Sequence, residues 1–189
     1  MIFDFNDGWT LAKENGESFS VCLPHDAMLG EKRCASCRNA VQSGYFPGGK
    51  YRYTKTFQIN ESDIGKNIRL HFGGVYRNAV VSVNGEAVKE NKYGYSPFTA
   101  DLTEKITVGE NTVEVLADNS LVPNCRWYSG SGIYRPVYLE ISRKDAPTFL
   151  KIKTVGISRR YRNRYRRRRG NTDFRCRGQS CRKRSKRSV

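Results

Sequence analysis

The sequence predicts an all-β chain, a sandwich or jelly roll of short antiparallel strands followed by a disordered basic tail. Three observations carry this reading. Several short runs alternate apolar and polar residues, as a strand with one buried face requires. An Asn-Gly pair, Asn84-Gly85, lies between two apolar runs. No segment sustains a helical period. Many short strands punctuated by turn residues argue for two packed β-layers.

In chain order, the 30-residue stretch before Tyr51, rich in Gly, Pro and Cys, reads as long loops over the sheets. Tyr51–Ile59 alternates aromatic or aliphatic residues with polar ones, and Asn67–Phe72 alternates again. Ala79–Val83 runs into Asn84-Gly85 and on to Glu86–Lys89. Asn-Gly suits the type I′ turn of a tight hairpin, which needs positive φ at both central positions. Gly109–Asn111 reads as a tight turn before a strand over Thr112–Ala117, and Val137–Ile141 supplies a further strand. Asp145-Ala146-Pro147 reads as a linker, and Lys151–Ile157 as the first strand of another domain.

Beyond Ser158 the alternation stops. Arg159–Val189 holds 15 of the 34 Lys and Arg beside a single acid, Asp173, whereas residues 1–158 hold the other 19 against 17 acids. The net charge of +16 is therefore a property of the tail, and the body is nearly neutral. Such a tail buries too little surface to offset its ordering entropy. One origin for it is a change of reading frame near Ser158, because purine-rich Glu and Lys codons read out of step give arginine codons. Translating the other two frames of the coding DNA tests this; no further sandwich sequence downstream would sink it.

Composition sets other limits. No run approaches the roughly 20 apolar residues of a membrane span. Met1–Asp7 carries acids where a secretory signal has a basic segment and then an apolar one, so a cytoplasmic location is expected. The six cysteines are accordingly expected to stay reduced. Cys34 and Cys37 form a Cys-x-x-Cys without the βαβ surroundings of a redox motif. A four-thiolate zinc site with Cys176 and Cys181 is conceivable, but those lie in the tail. His25 in a loop and His71 in a strand do not pair into a metal site, so neither metal nor cofactor is expected.

Four ordered segments carry more specific information. The first is Phe5-Asn6-Asp7-Gly8-Trp9 with Leu23-Pro24-His25-Asp26-Ala27. The second is Gly44–Phe57, containing Tyr45-Phe46-Pro47-Gly48-Gly49. The third is Phe72–Ala79, with Val83-Asn84-Gly85, Gly94-Tyr95-Ser96-Pro97-Phe98 and Asp101-Leu102. The fourth is Asn124-Cys125-Arg126-Trp127-Tyr128-Ser129-Gly130-Ser131-Gly132-Ile133-Tyr134-Arg135-Pro136-Val137. In order and spacing they resemble the N-terminal sugar-binding domain of glycoside hydrolase family 2, the β-galactosidase and β-glucuronidase group. Cys125 stands where that family more often has a small polar residue.

The resemblance implies a galactose-binding-like jelly roll over residues 1–143. Residues 144–158 then form a linker and the first strand of an incomplete immunoglobulin-like domain, and 159–189 form the tail. It also implies a sugar-site edge at Asn124, Arg126 and Trp127, and at Asp26. In Arg126-Trp127-Tyr128 the Trp and Tyr offer flat apolar faces to a sugar ring, while Arg and Asn hydrogen-bond hydroxyls. Both Asp26 and the Arg126–Tyr128 region are also open to structural roles, Asp26 foremost as an acceptor of backbone hydrogen bonds and the loop as an interdomain contact. Val83-Asn84-Gly85 reads as a hairpin alone, and Tyr95–Phe98 as a turn. The glycine-rich Ser129–Gly132 reads as a flexible part of the loop.

No catalytic residue is carried over. The family's two catalytic glutamates belong to a (β/α)₈ barrel, which takes ~250 residues, far more than follow Arg143. The expectation is a truncated glycosidase, inactive alone, with weak affinity for β-glycosides that the missing catalytic domain completes. Whether such a chain is an enzyme is left open by the sequence. Two other classes remain: a nucleic-acid or polyanion binder acting through the arginine-rich tail, and a free-standing lectin-like module.

Overall fold

A computed structural model describes residues 1–14, 16–37, 40–121 and 128–145, with the backbone of 164–166 and 173–175. The chain divides into two units, Met1–Lys144 and Asp145–Val189. In the second, Arg164–Arg166 pairs antiparallel with Asp173–Arg175. The strand expected at Lys151–Ile157 lies outside the described residues.

The first unit contains the strands β1 (Ile2–Asp4), β2 (Trp9–Lys13), β3 (Ser18–Val21), β4 (Lys50–Ile59), β5 (Asn67–Phe72), β6 (Ala79–Val83), β7 (Glu86–Asn91), β8 (Phe98–Asp101), β9 (Gly109–Asp118) and β10 (Val137–Ser142). One sheet has the order β1-β10-β5-β8 and the other β3-β2-β4-β9-β6-β7. Every pairing between these strands is antiparallel. The fold is the all-β sandwich that the alternation predicts.

Alternate residues supply the core. Ile68, Leu70 and Phe72 of β5 are buried, as are Val113, Val115 and Ala117 of β9 and Val81 and Val83 of β6. Their intervening neighbours lie nearer the surface. Trp9 is fully enclosed, meets Phe5 edge-on at 5.8 Å, and donates its indole N–H to the Phe5 carbonyl at 2.8 Å. Burying a side chain of this size contributes about 3 kcal/mol, provided the indole N–H keeps its partner.

Asn84 and Gly85 have φ of 50° and 86° and join β6 to β7 through the Val83–Glu86 pair, as the type I′ expectation requires. Asn84 does more than turn the chain. Its side-chain oxygen accepts from Thr112 N–H at 2.9 Å, and its amide nitrogen donates to Lys105 O at 2.9 Å.

Between β3 and β4, the 30-residue stretch before Tyr51 runs, in its described residues, as loops with the short 3-10 turns Ala27–Gly30 and Ala40–Ser43. Three strands, β1 to β3, precede it. The residues of β1 are all exposed and β3 shows no buried position, so neither carries a period for sequence reasoning to find. Gly109–Asn111 is the start of β9 rather than a turn, with Gly109 opposite Ile59 and Asn111 opposite Phe57. The buried side chain of Asn111 explains the shift. It accepts from Thr107 N–H and donates to Thr107 O and Gly109 O, which moves the bend upstream. No helix among the described residues is long and apolar enough to cross a membrane.

Candidate functional site

The ends of both sheets set the position of the site. Lys50 opens β4 opposite Asp118, which closes β9, while Phe72 closes β5 opposite Val137, which opens β10. Segments 73–78, 119–121 and 128–136 therefore leave the sandwich at the same end. Segment 25–30 joins them there through direct hydrogen bonds.

The glycine-rich segment Gly130–Ile133 is held from two sides at this end. His25 N–H donates to Ile133 O and Ala27 N–H to Ser131 O, both at 2.8 Å. On the opposite side Gly132 N–H donates to Tyr76 O at 2.7 Å, and Tyr76 N–H returns a bond to Gly132 O at 2.9 Å. A Cβ on Gly132 would stand 2.0 Å from the Tyr53 hydroxyl, and one on Gly130 would stand 2.7 Å from Asp26 Oδ2. The glycines therefore allow close approach, with φ of 104° and 70°. The flexibility expected for Ser129–Gly132 does not extend to Gly130–Gly132, which are buried.

Asp26 fastens the same segment through its side chain. Its Oδ1 accepts from Met28 N–H at 3.0 Å, capping the short 3-10 turn Ala27–Gly30, and from Ser131 N–H at 2.9 Å. Its Oδ2 accepts from the Tyr128 hydroxyl at 2.5 Å. Burial raises the Tyr128 phenol pKa, and the hydrogen bond to Asp26 and its charge raise it further. Asn119, fully buried, donates to Ser131 Oγ at 2.7 Å and to Gly130 O at 3.1 Å. His25 Nδ1 lies 3.0 Å from the Tyr53 hydroxyl. Burial lowers the His25 pKa, while the Asp26 charge opposes that shift.

Aromatic rings surround this clamp. Phe46 meets Tyr128 edge-on at 5.6 Å, with the Arg33 guanidinium 5.1 Å over the Phe46 ring. Tyr95 packs on Tyr76 at 5.3 Å, and the Tyr134 hydroxyl donates to Gly94 O at 2.8 Å. Beneath them the buried Tyr51 hydroxyl has no hydrogen-bond partner among the described residues.

Asp26 thus sits directly against Tyr128. Asn124, Arg126 and Trp127 lie outside the described residues. The chain reaches them from Leu121, whose carbonyl accepts from Arg77 at 3.0 Å, and returns at Tyr128. Tyr128, read from the sequence with Arg126 and Trp127, bonds to Asp26. Sequence reasoning did not single out Asn119, Ser131 or the His25–Tyr53 pair, although Ser131 falls inside the fourth motif, so a signal existed. Asn119 had none, since its role depends on partners brought together only by folding.

The arrangement suits positioning. Asp26 spends its carboxylate on three donors, and the aromatic faces and amides are of a kind that contacts polar rings. His71 lies on the four-stranded sheet, bonded to Thr99 at 2.9 Å and to Glu140 at 2.6 Å. Among the described residues no group of three or more His, Cys, Asp or Glu is placed to hold a metal ion.

Fold and loop-borne site together define a jelly-roll module of the galactose-binding-like class. The family model described as glycosyl hydrolases family 2, sugar binding domain, matches residues 39–142, and the chain belongs to that family. A putative β-glucuronidase of Formosa agariphila is 32% identical over 166 residues, covering 82% of this chain and 16% of that protein. The β-galactosidase BoGH2A of Bacteroides ovatus is 42% identical over 118 residues, covering 62% of this chain and 14% of its own length. Among solved structures, a β-glycosidase from Bacteroides vulgatus superposes with a TM-score of 0.67 at 32% identity, over 76% of this chain and 20% of that one. A family 2 member from Bacteroides cellulosilyticus gives 0.70 at 30% identity, over 81% and 21%. The chain thus spans no more than about a fifth of the length of these relatives.

Proposed function

We propose that this chain is the non-catalytic sugar-binding part of a family 2 β-glycosidase, presenting one edge of a β-glycoside site without cleaving the bond itself. Asn124, Arg126 and Trp127 form that edge, and Asp26 positions it. The observation that carries this reading is the carboxylate of Asp26, tied at once to Tyr128 and Ser131. It fixes the exit of the segment bearing Asn124, Arg126 and Trp127. Hydrolysis with retention needs two carboxyl groups about 5–5.5 Å apart, and we assign that pair to a separate catalytic domain. A half-built site binds weakly, because the remaining contacts come from that domain.

Calorimetric and NMR titration of the full chain with β-galactosides and β-glucuronides tests the proposal. We expect dissociation constants of about 1 mM or weaker, lost in Trp127→Ala. Submicromolar binding by this chain alone would indicate a complete lectin-like site and overturn the reading.

The concentration of 15 Lys and Arg in Arg159–Val189 favours a second activity, attraction to polyanions. Binding to RNA or DNA that fades steeply with salt reports charge alone. Sequence preference surviving raised salt would make nucleic acid a specific partner.

A further inference from the structure

We propose that Cys34 and Cys37 form a thiol–disulfide couple, a reversible modification site that reacts with low-molecular-weight disulfides of the glutathione type. The pair lies apart from the sandwich core, and the clamp around Asp26 does not use it.

The geometry is that of a closed turn. Cys37 N–H donates to Cys34 O at 3.1 Å, the i to i+3 bond of a β-turn. A β-turn brings its first and fourth Cα atoms within about 7 Å, and disulfides span about 4.4–6.8 Å between Cα atoms. Both thiols are free, Cys34 exposed and Cys37 half-buried. The turn is fixed in place: Cys34 N–H donates to Tyr45 O at 2.8 Å, and Cys37 Sγ lies 4.0 Å from Ser43 Oγ. Ser43 is itself buried and donates to Phe46 O at 2.7 Å. The frame that holds the two thiols is therefore the one that presents Phe46 to Tyr128.

The two sulfurs have different roles. Cys34 Sγ lies 3.0 Å from Ser36 Oγ. That hydroxyl, with the backbone N–H groups of Ser36 and Cys37, lowers the Cys34 thiol pKa. Cys34 follows Lys32 and Arg33 in sequence, so its surroundings favour the thiolate. Cys22, which is also exposed, has its pKa raised, first by its hydrogen bond with Asp7. Cys34 is the attacking thiol and Cys37 the resolving one.

The exchange balances as follows. The Cys34 thiolate attacks one sulfur of glutathione disulfide, forming a mixed disulfide and releasing one glutathione thiolate. Cys37 then loses its proton and attacks the Cys34 sulfur, forming the Cys34–Cys37 bond and releasing the second glutathione. Two protein thiols are oxidised and one disulfide is reduced to two thiols, which take up the protons.

The test is equilibration of the full chain in glutathione redox buffers, acid quench, alkylation and peptide mapping. Trypsin cuts after Arg33 and Arg38, so both sulfurs fall in one short peptide. The expected result is that peptide with both thiols lost together and no lasting glutathione adduct, while Cys22 stays alkylatable. Cys37→Ser should hold a stable glutathione adduct on Cys34. Cys34→Ser should leave Cys37 free, and brief alkylation should label Cys34 several-fold faster than Cys22. Circular dichroism of both variants checks that the sandwich is intact. Persistent adducts on both thiols of the unaltered chain, or oxidation of Cys22 at the same poise, would overturn the proposal.

Discussion

Replacing Gly132 by alanine is the sharpest test of the clamp at the loop end. The new methyl would stand 2.0 Å from the Tyr53 hydroxyl, 2.8 Å from its Cζ and 3.0 Å from Cε2. Tyr53 cannot swing away, because it is fully buried in β4 and its hydroxyl faces His25 Nδ1 at 3.0 Å. The residue also has φ of 104°, which costs an L-residue about 1–3 kcal/mol. Overpacking adds about 1–3 kcal/mol, and displacement would strain the two bonds to Tyr76 at about 1 kcal/mol each.

The expected loss is therefore about 4–8 kcal/mol, a large part of the 5–15 kcal/mol typical of a domain. Gly65→Ala is the control. That residue also has positive φ, 81°, but a Cβ there meets nothing within 4 Å, so it bears only the backbone term. Urea denaturation of both variants, followed by tryptophan fluorescence and circular dichroism, gives the difference from the midpoints. A Gly132→Ala midpoint no lower than that of Gly65→Ala would refute the clamp and leave Gly130–Gly132 an ordinary loop.

Other predictions concern the same end. Asp26→Ala removes the acceptor for Met28, Ser131 and Tyr128 and should cost about 2–3 kcal/mol in urea denaturation. Asp26→Asn keeps one oxygen acceptor and should cost less than half as much; equal losses would mean that the charge matters and the hydrogen bonds do not. The pKa of His25 is lowered by burial, with Asp26 opposing, so the unfolded chain takes up its proton first as pH falls. Its contribution is full above about pH 6.5 and is lost as pH drops through the folded value. Stability measured between neutral and mildly acidic pH should decline in the unaltered chain and decline less in His25→Gln. Equal slopes would remove His25 from the account.

Much of the sandwich is visible one strand at a time. In β5, Ile68, Leu70 and Phe72 face inward because side chains alternate along any strand, whatever lies opposite. The Asn84-Gly85 hairpin is equally local, since two adjacent residues hold the positive φ angles that the turn needs. The ordered motifs gave the family and directed attention to Asp26 and to the segment beginning at Asn124. Where strands were hidden, as in β1 and β3, they lie at sheet edges and carry no buried period of their own.

The meaning of the glycines could not be read that way. Ser129-Gly130-Ser131-Gly132 has the composition of a flexible loop, and its immediate neighbours offer nothing to contradict that. The partners that restrain it are Asp26, more than 100 residues away in sequence, together with Tyr53, Tyr76 and Asn119. A glycine that relieves strain in its own backbone and one that makes room for a distant side chain look identical in one dimension. The sequence by itself determined the alternating layers, the hairpin and the family. Only the tertiary structure decided that the loop end is rigid, because steric exclusion acts between atoms that folding brings into contact.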